Sequence, residues 1–229
     1  MAKKQSSAKR TNSKQKRLED QNQAKRLKRF RILGIVGIMI VAGAALVFWR
    51  NAGRAAVDEA AALVDPNRIG PENAPVQIVE FGDFGCHSCR VWHNAGIKDQ
   101  LLADFGDQIS VEFRHFPVIT RQSPLAAEAA QCAAEQGAFW EFHDYIYEWT
   151  LEGALGRSDL EFYAEAVELD QEAFNGCLDS GRFQELVQRD WQAAQDAGAR
   201  GTPTFLINGE QAFPSYESMS ATIQEILSS

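Results

Sequence analysis

The stretch that most constrains this chain is Val76–Arg90, VQIVEFGDFGCHSCR. VQIVEF is an apolar, partly β-branched run of strand length. Two cysteines, Cys86 and Cys89, follow it with two residues between them. From Arg90 to Phe105 the apolar residues Val91, Ala95, Leu101, Leu102 and Phe105 alternate with charges, which predicts an amphipathic helix. ISVEFRHF, Ile109–Phe116, then alternates apolar and polar residues as a half-buried strand does. The cysteine pair is therefore expected at a strand-to-helix junction inside a β-α-β unit.

Ser123–Ala197 reads as helical almost throughout, with breaks near Gly137, Gly153–Ser158, Asp170 and Gly181. Its aromatic positions, Phe139, Trp140, Phe142, Tyr145, Tyr147, Trp149, Phe162, Phe174 and Trp191, are expected to be packing residues. Strand signals return at Thr204–Asn208 and Gln211–Phe213 around a Gly209 turn, before a closing helix from about Tyr216. A β-α-β half and a β-β-α half separated by about 75 helical residues make one domain with a helical insertion.

The beginning of the chain has a different character. Residues 1–31 hold 12 Lys/Arg against Glu19 and Asp20, whereas the remainder carries 11 basic and 29 acidic residues. Ile32–Trp49 follows as 18 residues without a charge, bracketed by Arg31 and Arg50, near the lower limit for a membrane-crossing helix. Phe48 and Trp49 at its far end suit the membrane interface. The expectation is a basic disordered cytoplasmic tail (1–31), a transmembrane signal anchor (32–49), a linker (50–67) and an exported domain (68–229) with its insertion at about 120–198. A cleaved signal peptide is the alternative for the uncharged run. The acidic body speaks against nucleic acid as a partner.

In thiol-disulfide exchange one exposed thiolate attacks and a second thiol resolves the mixed disulfide. A Cys-x-x-Cys opening a helix supplies both. The first sulfur lies where free N–H groups and the helix dipole favour negative charge, and the second lies within the first turn. Cys86 is then the nucleophile and Cys89 the resolver. Protonated His87 could lower the Cys86 pKa further, or be an exposed turn residue without a role. His93, one turn beyond Cys89, is as much a bystander as a functional group. Zinc is weighed because Cys86, His87, Cys89 and His93 offer four possible ligands. One helical turn closes a tetrahedron poorly, however, and no second ligand pair follows downstream. No metal and no cofactor are expected.

The strand, the Cys-x-x-Cys and the later Gly201-Thr202-Pro203-Thr204-Phe205 together resemble a thioredoxin fold. With IVEFGDFGCHSC ahead of the helical insertion and FRHFP beside it, residues 68–229 resemble the membrane-tethered DsbA-like thiol-disulfide oxidoreductases. The resemblance implies an α/β thioredoxin-like fold with an inserted α-helical domain, here preceded by one N-terminal transmembrane helix. It implies that Cys86 and Cys89 are the redox pair and that Pro203 is a cis-proline beside them. Thr202 would offer backbone hydrogen bonds to substrate. Glu80 would be a buried acid beneath Cys89 that takes and gives its proton. The chain departs from the best-known members, which carry Pro-His between the cysteines where His87-Ser88 stands here.

Cys132 and Cys177 complete an even set of four cysteines in an exported chain. With Cys86 and Cys89 partnering one another, these two are expected to form a structural disulfide; two small buried thiols are the alternative. The functional expectation is a bacterial membrane enzyme, a monomer, with its N-terminus cytoplasmic and its catalytic domain outside. It would oxidise thiols of exported proteins and be reoxidised by a membrane partner. The rivals are a reductase or isomerase kept reduced by a membrane donor, a peptide-binding or chaperone module, and a zinc-binding structural module.

Overall fold

The computed structural model describes residues 67–229. The basic tail, the uncharged run and nearly all of the linker lie outside them. Among the described residues no helix is long and apolar enough to cross a membrane.

A five-stranded mixed sheet lies at the centre. In chain order its strands are β1 (Arg68–Ile69), β2 (Val76–Gly82), β3 (Ile109–His115), β4 (Thr204–Ile207) and β5 (Glu210–Ala212), and the spatial order is β1-β3-β2-β4-β5. β2 and β3 are parallel, with Ile78 opposite Val111 and Glu80 opposite Phe113. β4 runs antiparallel to β2 and places Phe205 opposite Glu80. Side chains alternate across a strand. Val76, Ile78 and Glu80 therefore share a face with Ile109, Val111, Phe113, Phe205 and Ile207.

The connection from β2 to β3 carries two helices, α1 (His87–Asn94) and α2 (Ile97–Phe105). The sequence predicts a single helix there. The chain breaks at Gly96, whose φ of +68° is a left-handed conformation that a glycine adopts without a steric penalty. Trp92, Leu101 and Phe105 from these helices cover the first sheet face. Met219 and Ile223 join them from the C-terminal helix, α8 (Tyr216–Ser228). Met219 and Ile223 are four apart and so on one helix face, and the Ser215 side chain accepts the Ser218 N–H at the start of the helix.

Between β3 and β4 stand five helices: α3 (Ser123–Ala134), α4 (Phe139–Trp149), α5 (Arg157–Ala166), α6 (Gln171–Ser180) and α7 (Gln184–Asp196). This is a thioredoxin-like fold with a helical insertion. α3 is its centre: Ala126, Ala129, Ala130 and Ala133 are fully buried, and their small side chains let neighbouring helices approach closely. Phe139, Phe142, Ile146, Leu160 and Phe174 complete this second core. Phe113 at the end of β3 belongs to it as well, stacked on Phe84 with ring centroids 5.6 Å apart. The seam between body and insertion is thus packed aromatic surface.

β3 differs from the half-buried strand read from its alternation. Ser110 and Glu112 are buried along with Ile109, Val111 and Phe113, because α7 covers the opposite face of the sheet. The Asp190 carboxylate of α7 there accepts the His115 N–H at 3.0 Å. Two aromatics read as packing residues are not: Trp149 is 75% and Phe162 60% exposed. Both lie on surface-facing positions of helices whose inner faces other aromatics already fill.

Cys132 of α3 and Cys177 of α6 are joined by a disulfide with a Cα–Cα distance of 5.7 Å, across 45 residues of chain. Closing a loop of that length restricts the unfolded chain by about 4 kcal/mol in the entropy model. Replacing both cysteines by alanine should lower the urea-unfolding free energy by about 2–4 kcal/mol. The Cys86–Cys89 chemistry should remain intact, which a thiol titration of the folded variant would check.

Candidate active site

β2 ends at Gly82, and the turn Asp83-Phe84-Gly85 delivers the chain into α1 with Cys86 as its N-cap. Cys86 keeps an extended backbone, and its Sγ accepts the N–H of Cys89 at 3.3 Å. The turn is held by Asp83. Its buried carboxylate accepts N–H bonds from Gly85 at 2.7 Å, Val118 at 2.7 Å and Ile119 at 2.8 Å. Tyr147 of the insertion donates its hydroxyl to the Asp83 carbonyl at 3.0 Å. Asp83 was not singled out in the sequence, although Asp before a glycine-containing turn is a signal for such side chain-to-backbone bonds.

The two sulfurs have opposite environments. Cys86 has its pKa lowered to about 6, chiefly by the hydrogen bond from the Cys89 thiol. Burial opposes that, while the Thr202 hydroxyl and the N–H groups of Cys89 and Ser88 add to it. Thr202 acts on Cys86 twice. Its carbonyl oxygen accepts the thiol proton at 3.2 Å, and its buried hydroxyl, without a hydrogen-bond partner among the described residues, is free to turn to the sulfur and lower its pKa. The Thr202–Pro203 bond is cis, and the Gly198–Thr204 loop around it lines an open cleft of about 410 Å³ with Arg200 at its side.

Cys89 has no exposed surface. Its pKa lies well above the ordinary thiol value because burial disfavours the thiolate, with its hydrogen bond to Cys86 and the charge of Glu80 acting the same way. Glu80 projects from β2 into the same pocket. Burial pushes it up to about 8, against the pull of the Lys98 ammonium, and the Cys86 charge adds to the rise. Cys86, Cys89, Glu80 and Thr202-Pro203 are thus brought together at one end of the sheet. His87 points away: its ring is exposed and pairs with Glu152 at 2.8 Å. Cys132 and Cys177 lie within the insertion core.

A second cluster adjoins the pocket. His93, His143 and Asp144 bring ligand atoms within 4.8 Å of one another. The Asp144 oxygen that would face a metal already meets the Lys98 ammonium at 3.3 Å and His143 Nδ1 at 2.7 Å. The site is therefore occupied by a lysine cation and suits that better than a metal ion.

A family model described as thioredoxin matches residues 63–225. The probable disulfide bond formation protein D of Bacillus anthracis is 32% identical over 85% of this chain and 95% of its own length. The chain belongs to the DsbA-like thioredoxin family. The oxidised crystal structure of BdbD from Bacillus subtilis superposes with a TM-score of 0.64 at 28% identity, over 71% of this chain and 93% of that one. DsbA from Chlamydia trachomatis shares the fold with a TM-score of 0.62 at 20% identity, over 70% of this chain and 90% of that one. A Na(+)/H(+) antiporter NhaA from Herminiimonas arsenicoxydans is 40% identical over 67% of this chain. The chain spans about a quarter of the length of such antiporter relatives, 24% in that case.

The opposed environments of this family member have measurable consequences. Thr202→Val deletes the hydroxyl and keeps the carbonyl, so the Cys86 ionisation midpoint should rise from about 6 when followed by thiolate ultraviolet absorbance. Glu80 has a folded pKa above its unfolded one, so its contribution to stability is full below about 4.5 and is lost as pH rises through about 8. Glu80→Gln should therefore raise the thermal midpoint of the reduced protein at pH 8 more than at pH 4.

Proposed function

We propose that this chain is an extracytoplasmic thiol-disulfide oxidoreductase that introduces disulfides into exported proteins through Cys86-His87-Ser88-Cys89. The asymmetry between the sulfurs carries this reading: Cys86 is stabilised as a thiolate, pKa about 6, whereas Cys89 is held protonated. In the oxidised protein a client thiolate attacks Cys86 Sγ. The Cys86–Cys89 bond breaks and its electron pair passes to Cys89, which takes a proton from Glu80. A second client thiolate attacks the client sulfur of the mixed disulfide, and Cys86 leaves as a thiolate. The client gains a disulfide and two electrons remain on the cysteine pair, to be removed by a membrane partner. No cofactor or metal enters these steps.

The cis Thr202–Pro203 loop borders the same sulfur, and client backbone would pair with Thr202 there. Thiolate stabilisation favours the reduced pair, and so oxidation of clients. Relative to an ordinary thiol, a pKa of about 6 contributes about 1.4 kcal/mol at pH 7, or about 30 mV for a two-electron couple. The uncharged run Ile32–Trp49 would anchor the domain, with residues 1–31 in the cytoplasm and 68–229 outside. The charge balance of the exported part gives nucleic acid no role, and a monomer satisfies every step.

Glutathione equilibration tests the assignment. A potential well above about −270 mV is expected; one at or below it makes the protein a reductase. Cys86→Ser should abolish oxidation of a reduced peptide, and Cys89→Ser should accumulate the mixed disulfide on Cys86. Full activity in Cys86→Ser would leave only a peptide-binding role.

A further inference from the structure

Lys98 is an unusual residue for the interior: it lies on α2 and is only 5% exposed. A buried ammonium is costly unless it is paired. Its contacts come from Asp144 at 3.3 Å and from the Trp140 ring, whose centroid is 4.6 Å away. Both belong to α4 of the insertion; the exposed Asp99 beside it on α2 is 3.7 Å off. Asp144 is in turn fixed by His143 Nδ1 at 2.7 Å and approached by His93 Nδ1 of α1 at 3.8 Å. Glu148, one turn further on, meets His93 Nε2 at 3.4 Å.

The redox pocket adjoins this cluster: Glu80 stands opposite Phe113 on the same sheet face, and the Phe113 ring meets His143, the residue that fixes Asp144, with centroids 4.9 Å apart. The charged or titratable groups that act there are Cys86 and Cys89 at the start of α1, Asp83 of the turn before it, Tyr147 of α4, and Glu80. His115 of β3 acts on His143 from behind. Lys98 alone among the causes acting on Glu80 favours its carboxylate. Yet the residue that fixes the position of this cation is Asp144, on an element that contributes no thiol. We propose that Asp144 is a positioning residue of the redox site: it anchors the Lys98 ammonium near Glu80 and so sets how firmly that carboxyl holds the proton it exchanges with Cys89. This rests on the reading of Glu80 as the proton partner of Cys89.

Removing the Asp144 charge leaves Lys98 with only the exposed Asp99 carboxylate, 3.7 Å away towards solvent. The ammonium then turns to Asp99 and solvent, and Glu80 loses its cation. The Glu80 carboxyl is followed by carbon-13 NMR in the reduced protein without substrate, its signal assigned by its loss in Glu80→Gln. Asp144→Asn should raise the Glu80 midpoint by roughly 0.5–1 pH unit, and Lys98→Met by about one unit or more. Asp144→Glu should keep it near the parent value. Adding Asp144→Asn to Lys98→Met should shift it no further. An unchanged or lowered midpoint in Asp144→Asn, even with a lower melting temperature, overturns the proposal. So does an equal shift in the Lys98→Met background, since Asp144 would then act without Lys98. Should Asp144→Asn not fold, Asp144→Ser removes the same charge with a smaller side chain at this 36% exposed position and is read the same way. Because no client is present, a reducing potential would remove the oxidase reading and leave this titration as it stands.

Discussion

Everything at this site depends on a helix beginning at Cys86. The N–H groups of Ser88 and Cys89 point back at its sulfur, and a helix N-terminus favours negative charge. That favour is useful only if the sulfur is held in place. β2 runs into the turn on the central hydrogen-bonding register of the sheet, Asp83 ties the turn to the β3–α3 loop, and Thr202 closes over the sulfur from β4's leading loop. Three separate parts of the chain therefore converge on one atom. Burial works against the thiolate, and the hydrogen bonds outweigh it.

One turn away the same burial wins. Cys89 accepts no comparable set of donors, and Glu80 shares its pocket. Two buried acids close together disfavour ionisation of both. A proton on one of them is therefore available to the other at little cost. The pair has opposite linkage to the ionised Cys86. The depressed Cys86 contributes stability to the reduced form as pH rises through about 6 towards 9. Glu80 withdraws it as pH rises through about 8. Around neutral pH the site combines an ionised sulfur with a protonated acid, the combination on which the proposed exchange chemistry draws.

What the sequence made legible was local. A β-branched run, a Cys-x-x-Cys and an amphipathic stretch are contiguous in the chain, as are Gly-Thr-Pro and the strand that follows, so the order of elements could be read directly. The single helix expected over Arg90–Phe105 was wrong at Gly96 because periodicity carries across a two-residue break. β3 read as half-buried because alternation reports residue type and is blind to a helix arriving from 75 residues away, where Asp190 meets His115. The Lys98, Asp144, His143 and His93 cluster was invisible for the same reason. Each is an ordinary polar residue of an amphipathic helix, and only the docking of α1, α2 and α4 brings them together. His93 was considered with the cysteines it follows in sequence, whereas its charged neighbours lie on the insertion.

That docking makes the insertion part of the redox site's framework. Arg90, directly after Cys89, sends its guanidinium to the carbonyls of Tyr147 and Thr150 at the end of α4, at 2.5 and 3.2 Å. Carbonyls at a helix C-terminus lack intrahelical partners and favour a cation, so α1 and α4 are clasped by an interaction that each needs. Tyr147 reaches from the same helix to the turn before Cys86, and Lys98 reaches from α2 to Asp144. A displacement of α4 would therefore alter the turn, the helix that begins at Cys86 and the cation that acts on Glu80 together. Residues of the insertion thus reach the surroundings of the sulfurs without touching the sulfurs themselves.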